Sequence, residues 1–297
     1  MKASVIVMDY LRKKYILDAL QSIKNQKGID LNDIEVIVIK YYQDEKIDNY
    51  IKENFPNYKI INLDPNGPDR YCGSALTIGL KEASSNLIFI LDDDDMFTEN
   101  KISKIFEVVK NIKDDEYLIF HKMITARYYK GKLLKKAKYR YNNSCLVLYI
   151  KDKEKLIDYI RKIYYVIDQS LLCYFNKKII KVNEPLTYYR IHEENITGKR
   201  YNRQALEMFL QDLQYIYEKT KCKREIYEII SYKIILNLIY NANYNISLKE
   251  YFKALSILDR DFIRRLTKVI LYKLFKNYLK KYYLRKYIFT DLNTQNA

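Results

Sequence analysis

Through the first half of the chain, short β-branched runs alternate with stretches whose apolar residues recur every three or four positions. That alternation predicts a mostly parallel sheet flanked by helices, an α/β class. Strands are expected over residues 4–8, 35–39, 59–63 and 87–91. Ile16, Leu20 and Ile23 fall on one face of a helix that stops at Gly28, and further helices are expected over about 74–83 and 100–112. Pro65, Asn66, Gly67, Pro68 and Gly73 concentrate turn chemistry between the third and fourth strands. Beyond them, strand-like stretches lie at 117–121, 123–129 and 146–150, two helical segments bracket Asp168, and 186–191 reads as a final strand. From about Lys199 onward the pattern is helical, which divides the chain into an α/β domain over 1–198 and a helical C-terminal region over 199–297.

Four consecutive aspartates, Asp92, Asp93, Asp94 and Asp95, stand directly behind the apolar run Leu87, Ile88, Phe89, Ile90 and Leu91. Carboxylates repel one another, so four of them at the end of a buried strand need a positive partner. A hard divalent cation such as Mg²⁺ or Mn²⁺ answers that need, because it takes oxygen ligands and completes its shell with phosphates and water. The alternating pair Asp92 and Asp94 would lie at the carboxyl end of a strand, the edge at which open α/β sheets bind ligands. The plainer reading is an acidic loop capping the helix that starts near Thr98, although a single Asp or Thr98 alone would suffice for a cap.

Composition narrows the partners. With 48% hydrophobic residues and only six glycines and four prolines, the chain is folded rather than low in complexity. Its net charge of +16 favours anionic partners: phosphorylated ligands, a phospholipid surface or nucleic acid. The excess is concentrated over residues 262–290, which hold nine basic residues and no acidic one. There Ile263, Leu266, Ile270, Leu274 and Tyr278 recur at helical spacing between lysines and arginines. Such a basic amphipathic helix either lies on anionic lipid, gaining roughly 1 kcal/mol per basic residue, or packs its stripe on the domain and leaves its lysines solvated. Cys72, Cys145, Cys173 and Cys222 show no Cys-x-x-Cys spacing, which suggests reduced thiols rather than a zinc site or a disulfide framework. The opening apolar run of about six residues is too short for a signal peptide, and no apolar stretch reaches the roughly 18 residues of a membrane span. A cytoplasmic protein is expected, peripheral on the inner face of the membrane if the basic helix binds lipid.

The segment FILDDDDMF over residues 89–97, followed by PLTYYRIH over 185–192, resembles the inverting family 2 glycosyltransferases of GT-A fold. The resemblance spans about residues 3–197, with a looser match at 4–12. It implies that Asp92 and Asp94 hold Mn²⁺ or Mg²⁺ against the diphosphate of a nucleotide-sugar donor, with Asp95 as a supporting or additional ligand. Asp93 would meet the donor's ribose or face solvent. His192 would reach the metal or the diphosphate. Asp168 would be the general base that takes the proton of the acceptor hydroxyl, on a glycan or a lipid-linked acceptor; its structural alternative is a helix N-cap. Arg190 is open between a phosphate clamp and a salt bridge, and His121 is read as structural.

The nucleotide pocket departs from the family. Its usual Pro-Thr-Tyr is Met8-Asp9-Tyr10 here, so Tyr10 and, just beyond, Arg12 are the direct matches. Lys40 stands where the family places a base-binding Asp, followed by Tyr41 and Tyr42, and Leu76-Thr77 replaces an Arg-Asn pair. An ammonium cannot accept the ring N–H of uracil, which weakens the case for a UDP-sugar. Asp9 is a substitute for base recognition, Tyr41 or Tyr42 for stacking, and Arg70 for a phosphate contact. The alternative to an enzyme is a decayed GT-A module acting as a basic scaffold on membranes or nucleic acid. Nucleic acid is the less expected partner. Titrating the chain with nucleoside diphosphates and Mn²⁺ should give saturable, metal-dependent binding; no binding by any of them is the outcome the scaffold requires.

Overall fold

The computed structural model describes residues 2–69, 71–110, 112–129, 132–140, 142–190 and 202–247. Its centre is β1 (Ala3–Asp9), every residue of which is buried. β2 (Ile34–Lys40) and β4 (Leu87–Asp92) run parallel to β1 on either side, and β3 (Tyr58–Asn62) runs parallel to β2. Near-continuous Val and Ile suit these strands to a sheet covered on both faces. β8 (Leu146–Ile150) then pairs antiparallel with β4, and β6 (Glu116–Tyr129) antiparallel with β8. β9 (Ile179–Tyr189) pairs parallel with β6 and antiparallel with the short β5 (Met96–Phe97). The order is β3-β2-β1-β4-β8-β6-β9-β5, with β7 (Lys132–Lys138) paired to β6.

Helices α1 (Ile16–Lys24), α2 (Glu45–Asn54), α3 (Cys72–Glu82), α4 (Lys101–Val109), α5 (Glu154–Ile160) and α6 (Ile167–Phe175) accompany the sheet. One core runs from Val5, Val7, Val36 and Val38 through Leu20, Ile23 and Ile51 to Phe89, Leu91 and Ile105. A second compact unit contains α7 (Arg203–Thr220) and α8 (Lys223–Tyr240), joined through Leu206, Leu210, Leu213, Ile229, Ile235 and Leu236. Among the described residues no helix is long and apolar enough to cross a membrane.

The four parallel strands follow the hydrophobic pattern to within a residue or two. β5 and β7 were not expected from it, and three further features differ. The stretches at 117–121 and 123–129 are one strand, β6, whose pairing with β9 slips on either side of Lys122. An irregularity of this kind inserts a residue without ending the strand, so a break in alternation reads falsely as a gap. β9 begins at Ile179, well before residue 186, because the polar Lys181, Asn183 and Glu184 conceal a half-exposed strand. α2 carries only Ile47 and Ile51 as buried residues, too sparse a stripe to show in periodicity; Asp44 caps it by accepting from the Ile47 N–H.

Two connections set the site. Met8 pairs with Asp92 and Asp9 with Lys40, so the carboxyl ends of β1, β2 and β4 lie side by side. The antiparallel pairing of β8 with β4 returns the turn before β8, Asn143–Cys145, to that same edge. Behind it, α3 approaches the end of α5 so closely that the Gly73 N–H donates to the Ile163 carbonyl at 3.1 Å. A Cβ on Gly73 would meet the carbonyl oxygens of Ile160 and Ile163 at 2.2 and 2.4 Å. Backbone cannot yield as a side-chain tip can, so Gly73→Ala should destabilise the chain by about 1–3 kcal/mol or more. A lowered urea midpoint at unchanged slope is the expected reading, and an unchanged midpoint would contradict the close approach.

Candidate active site

β4 ends in the aspartate run because its apolar residues stop at Leu91 and the next four side chains leave the sheet edge in a turn. The turn is closed by the main chain: the Asp93 N–H donates to the Met8 carbonyl at 3.1 Å and the Asp95 N–H to the Asp92 carbonyl at 3.1 Å. Asp93, Asp94 and Asp95 are buried and Asp92 is half-buried. Carboxylate oxygens of Asp92, Asp94 and Asp95 lie within 4.8 Å of one another. That set of hard oxygen donors fits a divalent cation such as Mg²⁺ or Mn²⁺.

Each carboxylate has its own support. The Arg12 Nε donates to Asp93 Oδ2 at 3.1 Å, its Nη2 to Asp93 Oδ1, and its Nη1 to Asp94 Oδ2. The Tyr10 N–H also reaches Asp93, at 3.3 Å. Asp95 accepts from the Asn142 Nδ2 at 3.0 Å and from the Arg190 N–H at 3.1 Å. Asp92 accepts from the Asn143 Nδ2 at 3.1 Å, while its own N–H donates to the Ser144 hydroxyl at 3.0 Å.

The charges remain under-neutralised. Burial, and then the neighbouring Asp94, push the Asp92 carboxyl up to about 7, against the pull of Arg12 and Asn143. Burial likewise pushes Asp93 and Asp95 well above the usual carboxylate range, with Asp94 adding to both. Burial disfavours the Arg12 cation, yet Asp94 and Asp93 outweigh it and raise its pKa. Asp168 lies in the first turn of α6, half-buried, and its charge adds a small upward push on the Asp92 carboxyl. The Gln169 N–H donates to it at 2.8 Å.

The residues expected around a nucleotide are distributed differently. Tyr10 and Tyr41 stack with centroids 5.9 Å apart. Asp9 is fully buried and already accepts from the Arg12 N–H at 3.1 Å and from the Tyr42 hydroxyl, which leaves it poorly placed to read a base. Lys40 is also fully buried, and its ammonium lies 3.1 Å from Asp48 of α2 and 2.8 Å from the Tyr42 carbonyl. An ammonium bound inside the wall in this way is unavailable to a ligand in the cleft. Arg190 resolves to the salt bridge: its Nη2 is 2.6 Å from Asp18, and its guanidinium lies over the Tyr15 ring. His121 is fully buried within β6, its Nδ1 2.8 Å from the Lys122 carbonyl. Arg70, His192 and the basic segment 262–290 lie outside the described residues.

Sequence reasoning missed Asn142, Asn143, Ser144 and Lys101. An Asn-Asn-Ser stretch signals only a turn, and a lysine at the start of a helix reads as a surface residue. Here Lys101 is fully buried behind the turn, donating to the Ser144 carbonyl at 2.7 Å and the Thr187 hydroxyl at 3.2 Å, with its Nζ 3.6 Å from the Phe97 ring centroid. Burial lowers its ammonium from 10.5 to about 7, against the opposing effects of Cys145 and Asp95. Between those values the folded chain binds fewer protons at this site than the unfolded chain does. Stability at Lys101 therefore rises with pH across that window, by up to about 1.4 kcal/mol per pH unit. Lys101→Met should flatten the rise. Urea melts from about pH 7 to about pH 10 check this, and equal slopes in parent and variant would contradict it.

Residues 4–207 match the family model described as glycosyl transferase family 2. The Bacillus subtilis (strain 168) protein described as uncharacterized glycosyltransferase YwdF is 29% identical over 134 residues, 43% of this chain and 47% of the relative. The match thus spans about half of that protein's length. The S. aureus TarS 1–349 crystal structure in complex with UDP-GlcNAc aligns at a TM-score of 0.57 with 17% identity, covering 90% of this chain and 82% of the other. The mannosyltransferase PcManGT of Pyrobaculum calidifontis, solved with GDP-Man and Mn²⁺, aligns at 0.52 with 12% identity, covering 93% and 88%. At such identities the two structures speak for the fold, and they bear out the GT-A type expected from the sequence.

Proposed function

Because this chain belongs to glycosyl transferase family 2 and is a glycosyltransferase, we propose that it moves a sugar, with inversion, from a nucleoside-diphosphate sugar to an acceptor hydroxyl. One observation carries the reading. The parallel edge of β1 and β4 gathers the oxygens of Asp92, Asp94 and Asp95 within 4.8 Å, with Asp168 close enough to disturb Asp92. The donors held by the two solved neighbours, UDP-GlcNAc and GDP-Man, support a nucleotide sugar. The neighbour with Mn²⁺ supports a divalent ion.

In this reading Asp92 and Asp94 hold the ion, and Asp95 completes or braces the set. When bound, a divalent cation neutralises the charge that develops on the departing diphosphate without any proton transfer. Asp93 stays with Arg12 and the Tyr10 N–H and keeps the turn closed. Asp168 accepts the acceptor's proton on a carboxylate oxygen as the hydroxyl oxygen bonds to the anomeric carbon and the bond from that carbon to the diphosphate breaks. Attack from the face opposite the leaving group inverts the anomeric centre. Tyr10, half-buried and backed by the buried Tyr41, is the aromatic surface offered to the base. With Lys40 and Asp9 both engaged inside the wall, neither is offered to the base of the donor. His192 is assigned to the metal or the diphosphate on the family resemblance, and the basic 262–290 sequence supports a lipid-linked or surface glycan as acceptor.

A panel of nucleotide sugars with Mn²⁺ or Mg²⁺ tests the proposal, with the anomeric configuration of the product read by NMR. Asp94→Ala should abolish transfer and leave the fold intact by circular dichroism. Asp168→Asn should lower kcat by roughly 10²–10⁴ while the donor KM changes little, as loss of a general base requires. Transfer at the parent rate by Asp94→Ala, or a product of retained configuration, would overturn the reading.

A further inference from the structure

We infer that Arg12 is an exchangeable counter-ion, its Nη1 resting on Asp94 until a divalent cation draws that carboxylate away and then donating to the donor's diphosphate instead. The inference rests on the metal reading given above and goes beyond it, by assigning to one side chain the coupling between metal and nucleotide.

The guanidinium is divided between two partners. Its Nε and Nη2 fork onto both oxygens of Asp93, whereas Nη1 alone bridges to Asp94. A fork on one carboxylate is the stronger attachment. Asp93 is therefore the anchor, and the single bond to Asp94 is the one that can change hands. The backbone holds the anchor in place. Leu11, exposed and at φ 68°, turns the chain through the left-handed region that a Leu rarely adopts. The Tyr10 N–H is bonded to Asp93 before it and the Arg12 N–H to Asp9 after it. With the backbone pinned on both sides of this residue and the planar guanidinium forked on Asp93, Nη1 keeps its place and only its acceptor changes.

Competition follows from charge. The side chains of Arg12, Asp93 and Asp94 are 9%, 0% and 5% exposed, so water screens these charges weakly. Arg12 cannot shed its proton, so a cation arriving at Asp94 must displace Nη1 and then sit beside a guanidinium. A diphosphate alone would meet the carboxylates of the run with one guanidinium already committed to them. Arriving together, the cation gains phosphate oxygens and Nη1 gains an anionic acceptor in place of Asp94. Metal and nucleotide should each raise the other's affinity by the same factor.

Mn²⁺ titrations of the full chain, followed by the EPR signal of the free ion, test this in the parent, Arg12→Gln and Arg12→Lys. Without nucleotide, Arg12→Gln should bind Mn²⁺ at least tenfold more tightly than the parent. Arg12→Lys keeps a cation but cannot span Asp93 and Asp94 together, and should gain at least threefold. At saturating Mn²⁺, the thermal shift produced by UDP or GDP in the parent should be lost in Arg12→Gln. Equal Mn²⁺ affinity in parent and variants would overturn the exchange and leave the metal reading standing. No Mn²⁺ binding by any of them, with or without UDP or GDP, would overturn both. Should Arg12→Gln fail to fold, the Mn²⁺ affinity of Arg12→Lys decides in the same way.

Discussion

Four carboxylates leave the end of β4 within a single turn, and their mutual repulsion is the constraint on which the rest of the site depends. Arg12 meets that repulsion from the neighbouring strand. Since β1 and β4 are parallel, with Met8 opposite Asp92, the chain leaving β1 emerges at the edge where the aspartates lie, and its fourth residue beyond Met8 covers Asp93 and Asp94. Had the two strands been antiparallel, that loop would have emerged at the far end of the sheet. The parallel centre is thus a condition for tolerating the acidic run as well as a way of burying Val and Ile.

The other half of the sheet supplies a second kind of support. β8 pairs antiparallel with β4, so the residues just before it arrive at the end of β4, where Asn142, Asn143 and Ser144 contact Asp95, Asp92 and the Asp92 N–H. Lys101 holds that turn from behind through the Ser144 carbonyl and the Thr187 hydroxyl. A buried ammonium is costly, and hydrogen bonds to oxygens together with the Phe97 face partly offset the cost. The amides touch their carboxylates without a net charge, and the lysine stands one layer away. Arg12 by contrast sets a full positive charge directly on its aspartates, and so on our reading it is the group whose partner changes when a further cation arrives.

This division gives the four aspartates different characters. Asp93 and Asp95 accept from main-chain N–H groups as well as side chains, contacts that belong to the fold. Asp92 and Asp94 are held by side chains, Asn143 and Arg12, that can move without undoing a strand. On our reading the alternate pair is the one that serves a ligand. Asp168, in the first turn of α6, adds a carboxylate whose charge is felt at Asp92, and on our reading it is the base.

Much of this was legible in the residues themselves. Uninterrupted apolar runs of four or five residues have one comfortable place, the middle of a covered sheet, and so β1, β2 and β4 and the acidic edge behind Leu91 follow from local pattern and composition. Sparse or broken patterns did not carry enough local signal: α2 buries two residues along one face, and β6 runs on through a slip that alternation reads as a break. Nor could local pattern pair charges across the chain. Lys40 and Asp9, read from sequence as residues facing a nucleotide, are instead committed to Asp48 and Tyr42, and Lys101 is buried 43 positions away from the Ser144 carbonyl that it holds. The sequence by itself determined which strands are central and that an acidic centre lies at their carboxyl edge, because hydrophobic period and like-charge repulsion are local properties. Which cations meet those carboxylates, and which polar side chains form the wall instead, was decided by tertiary structure alone, since strand order and register bring residues together that are about 50 to 95 positions apart.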